Sequence, residues 1–292
     1  MFVCLITTNT MQIIIKISEL KKKLSSYRAN NHTIGFVPTM GALHNGHLSL
    51  IQESVSKNNI TVVSIFVNPT QFNNGEDLKK YPRNLDEDIK KIKSKFKDII
   101  IFAPTVEEMY PQKTEAKNYS FKGLENQMEG KHRPGHFNGV GTIVQHLFEI
   151  IGPNFAYFGL KDFQQVRIVE TLVKKEKLKV KIVRCKIFRE KNGLAMSSRN
   201  ERLSAITREK ASVIYNTLKK AKALFKTKSA KFVANYVEDV FKNNAIFSLE
   251  YFEIADEKTL NPCIKKSTKK KYRAFIAVFA DNVRLIDNIS MK

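Results

Sequence analysis

Hydrophobic and polar positions along the chain switch repeatedly between the rhythm of a strand and that of a helix. Ile13 to Ile15 open the series as a short apolar strand, and residues 33–37 form a second that stops at Pro38. From 46 to 57 the spacing is helical, with Leu48, Ile51 and Val55 on one face. Residues 61–67 are β-branched and apolar on both faces, as a strand buried inside a parallel sheet is. A helix over 86–96 turns Ile89, Ile92 and Phe96 inward, and 99–102 is another strand. After a polar loop region the alternation resumes with helix 139–151, strand 155–158, helix 163–175 and strand 179–187. Strands separated by helices predict right-handed crossovers and a mostly parallel sheet covered on both faces. In such sheets ligands bind beyond the carboxyl ends of the strands.

The character changes around 189–202. Glu190-Lys191-Asn192-Gly193 is turn-like, and polar Ser197 to Asn200 follow. Beyond lie two helical patterns, 207–225 and 230–243, then three strands at 248–255, 272–280 and 283–289. Asp281-Asn282 between the last two is a hairpin signal. The fold expected is α/β: a Rossmann-like, mostly parallel sheet over 1–187 and a smaller C-terminal α+β domain over 188–292.

Composition narrows the class without changing that picture. An apolar share of 42% and a charged share of 27% are those of a globular protein. No apolar run approaches the roughly 18 residues of a membrane span, so no membrane partner is expected. Residues 1–6 are apolar but lack a basic start and a cleavage pattern. Met11 is therefore expected to be the biological start, with 1–10 an upstream extension. Cys4, Cys185 and Cys263 are far apart and no CxxC pair occurs. Free thiols in a reducing cytoplasm are expected, with neither a disulfide framework nor a zinc site.

A net charge of +22 would attract phosphate backbones or anionic lipid. Only 11 of the 50 basic residues are Arg, however, and the Lys runs are scattered along the whole chain. Sequence-specific nucleic-acid readers cluster their basic residues and lean on Arg for forked contacts. The charge is read as a solvated Lys-rich surface, and no nucleic-acid partner is expected.

The strongest local signal is Pro38-Thr39-Met40-Gly41-Ala42-Leu43-His44-Asn45-Gly46-His47. It follows a strand and opens a helix, so backbone N–H groups and the positive helix end are expected to face a ligand. Gly41 and Gly46 allow close approach of the main chain. His44 and His47, three apart, place two imidazoles on one side, able to donate hydrogen bonds to a phosphate. One histidine there would read as a packed or capping side chain. Two, with two glycines at a strand-to-helix turn, read as chemistry.

This segment resembles the nucleotide-binding signature of the adenylyl-transferring superfamily that includes class I aminoacyl-tRNA synthetases. Five further segments narrow it: Phe66-Val67-Asn68-Pro69-Thr70-Gln71-Phe72, Tyr81-Pro82-Arg83, Arg133-Pro134-Gly135-His136-Phe137, Phe158-Gly159-Leu160-Lys161-Asp162-Phe163-Gln164-Gln165 and Met196-Ser197-Ser198-Arg199-Asn200. In order and spacing the chain, from about Met11 to Asp287, resembles the pantoate–β-alanine ligase (pantothenate synthetase) family.

The resemblance implies ATP-dependent condensation of (R)-pantoate with β-alanine through a pantoyl adenylate, giving pantothenate, AMP and pyrophosphate. It implies an ATP site of Met40, Gly41, Ala42, Leu43, His44, Asn45, Gly46 and His47, with His47 the assigned acid and His44 a second phosphate contact. Lys161 brings positive charge to the phosphates, Asp162 accepts from the ribose, and Gly159 and Leu160 share that turn. Gln71 and Gln165 look like pantoate ligands, supported by Asn68; amides both donate and accept, which suits hydroxyls and a carboxylate. Arg133 and His136 flank a turn for which a purely structural reading is nearly as good. Met196, Ser197, Ser198 and Arg199 resemble a mobile phosphate clamp, and Phe188 approaches the adenine. Mg2+ is expected mainly through ATP phosphates and water, with no protein metal ligand assigned. A homodimer through the large domain is a family expectation.

Three residues depart from the family pattern: Leu160 where a polar residue is common, Lys186 in place of a proline, and Phe188 in place of a smaller aliphatic. They leave the shape of the adenine pocket open. Two rival readings stand beside the ligase: a nucleotide-transferring enzyme acting on a phosphate-bearing acceptor, and an RNA-binding protein that retains the scaffold. The Gln71–Gln165 pair speaks against the first, since phosphate acceptors usually call for Arg or Lys.

Overall fold

The computed structural model describes residues 11–72 and 75–292; the expected upstream extension, 1–10, lies outside them. Six strands, β1 (Gln12–Ile14), β2 (Ile34–Thr39), β3 (Ile60–Ile65), β4 (Ile99–Phe102), β5 (Phe155–Gly159) and β6 (Lys181–Cys185), form one sheet in the order β1-β4-β3-β2-β5-β6. Every pairing in it is parallel. The helices between them are α1 (Ile17–Ala29), α2 (Asn45–Val55), α3 (Gly75–Lys80), α4 (Leu85–Lys93), α5 (Val106–Met109), α6 (Met128–His132), α7 (His136–Ile151) and α8 (Phe163–Lys175). Among the described residues no helix is long and apolar enough to cross a membrane.

The sheet is apolar on both faces, as the unbroken hydrophobic runs required. Phe36, Val62, Ile100 and Phe102 share a core with Leu20 and Leu24 of α1, Val140 and Leu147 of α7, and Val166 and Val169 of α8. On the other face Val37, Val63, Ile99 and Ile101 pack with Leu48 and Ile51 of α2 and with Ile89, Ile92 and Phe96. Val55 departs from expectation: it is 39% exposed, and its neighbour Ser54 is buried instead. The cause is a close approach of α2 to β2. A Cβ at Gly35 would lie 2.2 Å from Ser54 Oγ, which shares a 2.8 Å hydrogen bond with Thr61 Oγ1.

Strand order reverses between β2 and β5, where ligands gather in sheets of this kind. Pro38 was expected to end β2, yet it lies inside the strand, opposite Ser64. The Ile34 carbonyl accepts from Asn154 N at 2.9 Å and the Thr39 carbonyl from Phe66 N at 3.1 Å. Alternation along the strand therefore turns the Pro38 nitrogen toward β5, and pairing with β5 has already stopped at Phe36. The missing N–H falls where the sheet splits, so no ladder bond is lost.

Three more helices and a second sheet follow: α9 (Ala205–Lys210), α10 (Ser212–Phe225), α11 (Ala230–Lys242), β7 (Ser248–Asp256), β8 (Tyr272–Ala280) and β9 (Val283–Ser290). The sheet is antiparallel, in the order β7-β8-β9. Asp281 and Asn282 have φ of 49° and 60°, the two left-handed residues a tight hairpin needs. The single helix expected over 207–225 is two, because the Asn192 side chain takes the carbonyls of Arg208 (2.7 Å) and Glu209 (3.3 Å) that a continuous helix would use. Leu194, Ile214, Leu218, Val233, Val237, Ile276 and Val278 form the core of this part. Its sheet also docks on the first: Phe275 enters the large core and meets Phe163 with ring centroids 5.8 Å apart.

Candidate active site

A cavity of about 690 Å³ opens at the carboxyl ends of β2, β3 and β5 and reaches the second sheet. One wall is the turn from β2 into α2. Gly41 (φ 83°) and Ala42 (φ 50°) bend it, and the buried carboxylate of Asp88 holds it, accepting from Ala42 N at 2.9 Å and Leu43 N at 2.6 Å. Lys91 Nζ donates to the Leu43 carbonyl at 3.0 Å. These contacts correct the expectation that the amides of this turn face a ligand, since two of them are satisfied by Asp88. Leu43 is a core residue, and Gly41, Ala42, Leu43 and Asn45 lie off the cavity wall, while Met40, His44, Gly46 and His47 line it.

The two histidines cap their own helix. His44 is the N-cap residue, and its Nδ1 accepts from Gly46 N at 3.1 Å. His47 Nδ1 reaches back to accept from His44 N at 3.3 Å. With both Nδ1 atoms acting as acceptors, the ring proton of each neutral imidazole sits on Nε2. The rings stack with centroids 4.0 Å apart. Gly46 makes the stack possible, because a Cβ there would lie 2.8 Å from His44 Cε1. Burial, then the Lys161 charge, lowers the His44 pKa to about 4; burial, His44 and Lys161 push His47 well below the usual histidine range.

Lys161 and Asp162 follow β5 in a 3₁₀ turn, their side chains 3.5 Å apart at the cavity wall. That turn is fixed from the second sheet: Asn288 Nδ2 donates to the carbonyls of Leu160 (2.9 Å) and Lys161 (2.8 Å). Asn288 is itself held by Arg273 Nη1 at 2.6 Å. Leu160 packs against the large core away from the cavity, so its apolar side chain fits a site where only its carbonyl is used.

Gln71 ends the 3₁₀ turn Pro69–Gln71 and lines the cavity, as Gln165 does, with its amide nitrogen 2.6 Å from Met40 Sδ. Asn68, buried beneath, donates to Gln71 Oε1 at 3.3 Å and to the Gly139 carbonyl at 3.2 Å, and accepts from Tyr110 at 2.7 Å. Gly139 permits the contact, since a Cβ there would fall 2.2 Å from the Thr70 carbonyl oxygen. His136 Nδ1–H donates to the Gln71 carbonyl at 2.8 Å, which leaves Nε2 to accept from Arg133 at 3.1 Å. Burial and the Arg133 charge lower the His136 pKa to about 4. Gln164, beside Gln165 in sequence, is buried and spent on the Glu129 amide and two backbone carbonyls.

The segment Met196–Arg199 closes the rim. Ser198 Oγ donates to the Ala42 carbonyl at 2.9 Å, tying this segment to the β2–α2 turn, and the Ser197 side chain accepts from Arg199 N at 3.3 Å. Phe188 lines the rim and is 42% exposed. A fourth wall was not foreseen. Glu129 of α6 accepts two bonds from Arg284 of β9 (2.7 and 2.8 Å) and one from Tyr251 (2.8 Å), and Arg284 also binds Glu250. His132 stacks on Tyr251 at 5.1 Å. Glu129 and Arg284 stand 155 positions apart, so no spacing rule joins them.

Three neutral imidazoles, half-buried at His44 and His47 and buried at His136, make stability depend on pH. Their folded pKa values lie below the unfolded value of 6.5, so the unfolded chain binds more protons as pH falls. Stability is full above pH 6.5 and is lost toward pH 4. From pH 7 to 5 the loss is about 2 kcal/mol each for His44 and His136. His136→Gln should flatten Tm against pH over that window; a curve parallel to wild type would contradict it.

Comparison with known proteins shows the family. The family model for Pantoate-beta-alanine ligase matches residues 12–290. The chain is 62% identical to a pantothenate synthetase of Flavobacterium psychrophilum over 97% of its own length and 100% of that protein's. Its structure is similar to pantothenate synthetase from Thermus thermophilus (TM-score 0.87, 36% identity, covering 96% and 99% of the two chains). It is also similar to a pantoate-beta-alanine ligase from Francisella tularensis complexed with beta-gamma ATP and beta-alanine (TM-score 0.77, 35% identity, covering 97% and 98%). A match running from β1 through β9, on a fold whose cavity gathers the motif residues, means that this chain belongs to the pantoate–β-alanine ligase family.

Proposed function

We propose that the cavity binds ATP along His44, His47, Lys161, Asp162 and Met196–Arg199, holds pantoate between Gln71 and Gln165, and condenses it with β-alanine. The observation that carries this is that His44, His47 and Lys161 line one cavity together with Gln71 and Gln165, and that both imidazoles, with Nδ1 spent on backbone amides, keep their protons on Nε2. The Francisella relative, solved with a nucleotide and beta-alanine, supports the substrate assignment.

The chemistry needs no nucleophile from the protein. A pantoate carboxylate oxygen attacks the α-phosphorus, forming a P–O bond as the bond to pyrophosphate breaks. The β-alanine nitrogen then attacks the acyl carbon, forming the C–N bond as the C–O bond to AMP breaks, and the amine loses a proton. Positioning and charge stabilisation carry such displacements. His44 and His47 act as neutral hydrogen-bond donors to phosphate oxygens, and Lys161 balances the charge that builds there. His47 in this reading is not an imidazolium acid: every group acting on it within the chain lowers its pKa, and protonating Nδ1 would break its bond to His44 N.

Among the described residues no three His, Cys, Asp or Glu side chains gather as a metal cage. Of the cavity carboxylates, Glu129, Glu250 and Asp287 are paired with Arg284 or Arg189. The donor set fits a Mg2+ held by phosphates and water, and the ion would supply further charge neutralisation. We read residues 188–292 as a smaller domain whose approach excludes water from the acyl adenylate. A homodimer and a cytoplasmic location complete the reading, on family grounds.

The test is product release with each acid withheld. Pyrophosphate should form only with pantoate, and AMP in quantity only when β-alanine is added. ATP turnover on a phosphate ester alone would favour the rival transferase.

A further inference from the structure

Tyr81-Pro82-Arg83 belongs to the motif set, yet the reaction as described gives it no task. Tyr81 is 7% exposed and lies on the cavity wall between the two substrate regions. On one side its ring meets Phe72 edge to face, with centroids 5.6 Å apart, and Phe72 is the residue next to Gln71. On the other side its hydroxyl interacts with that of Ser198, and the Arg199 guanidinium lies 5.7 Å from the ring centroid. Ser198 is itself anchored, donating to the Ala42 carbonyl, so the Tyr81 hydroxyl meets a fixed group. A single rigid side chain therefore joins the turn that presents Gln71 to the segment that presents Ser198 and Arg199.

We propose that Tyr81 is a positioning residue that couples pantoate binding to closure of the Met196–Arg199 segment on the nucleotide. The proposal rests on the assignment of Gln71 to pantoate and of Met196–Arg199 to ATP. Pantoate seating against Gln71 steadies Phe72, Phe72 fixes the Tyr81 ring, and Tyr81 holds Ser198 and Arg199 in place. Two consequences follow. Pantoate tightens nucleotide binding, and the adenylate, once formed, is kept from water until the amine arrives. Coupling of this kind is reciprocal, so nucleotide tightens pantoate by the same factor.

The test uses the full chain with Tyr81→Phe, which keeps the ring and removes the hydroxyl, and Tyr81→Leu, which removes both contacts. The first readout is the affinity of a β,γ-non-hydrolysable ATP analogue with and without pantoate. The second is AMP released per pantothenate formed at limiting β-alanine, a measure of adenylate lost to water. Removing the hydroxyl contact should weaken the pantoate effect on analogue affinity about fivefold in Tyr81→Phe. Tyr81→Leu should weaken it further, with the AMP leak rising in the same order. Pantoate effect and leak both at wild-type levels in Tyr81→Phe overturn the proposal, as does a fall in kcat alone. Wild-type protein that releases no pyrophosphate with pantoate would instead overturn the underlying assignment of the site.

Discussion

His47→Ala is expected to slow pyrophosphate formation by on the order of 100- to 1000-fold, the usual effect of deleting one donor aimed at developing charge. His47→Gln is expected to keep much of the rate. The reasoning lies in the helix start. His47 stands at the third position after the cap, and its Nδ1 accepts from the cap amide. Glutamine is a favoured residue at that position because its oxygen reaches back to the same amide, and its NH2 group remains a donor. It cannot relay a proton as an imidazole does. Single-turnover rates of the two variants therefore separate the roles: equal losses would mean that proton transfer by His47 is required and that the neutral-donor reading is wrong.

Arg284→Ala is expected to destabilise the fold by about 3–5 kcal/mol, because it strips the main partner from a carboxylate that is nearly out of water. Glu129 is 9% exposed, and Arg284 holds its pKa below the ordinary carboxylate range against the opposing effect of burial. For a chain of this size the fall in Tm is on the order of 10 °C. The double variant Glu129→Gln/Arg284→Met should recover most of that loss, since it removes the charge along with its partner. Scanning calorimetry decides: an Arg284→Ala protein melting with wild type would show that the pair adds nothing.

How much of this was legible in the sequence depends on how far apart the partners lie. The crossover sheet, the small α+β part and the hairpin at Asp281-Asn282 follow from local rhythm and turn chemistry, and they stand as read. His44 and His47 were legible because a strand, two glycines and a helix start surround them within ten residues. Their tautomers were not, since these depend on which backbone amide each Nδ1 meets. Asp88 carries no local signal within the helix pattern 86–96. Only the folded chain brings it under Ala42 and Leu43, 46 and 45 positions away. Ser54 and Val55 show the same limit at short range: periodicity favoured the apolar residue, but the approach of Gly35 leaves room only for the smaller one.

The grip of Asn288 on the Leu160 and Lys161 carbonyls has a bearing on how the protein comes into being. Asn288 lies in β9, so a chain still emerging from the ribosome can carry every nucleotide motif and have nothing to set the lysine in place. Competence for chemistry is expected to arrive with the final hairpin. Half-made copies are expected to consume no nucleotide, and a chain truncated before Asn288 to fold its large sheet yet leave Lys161 unanchored.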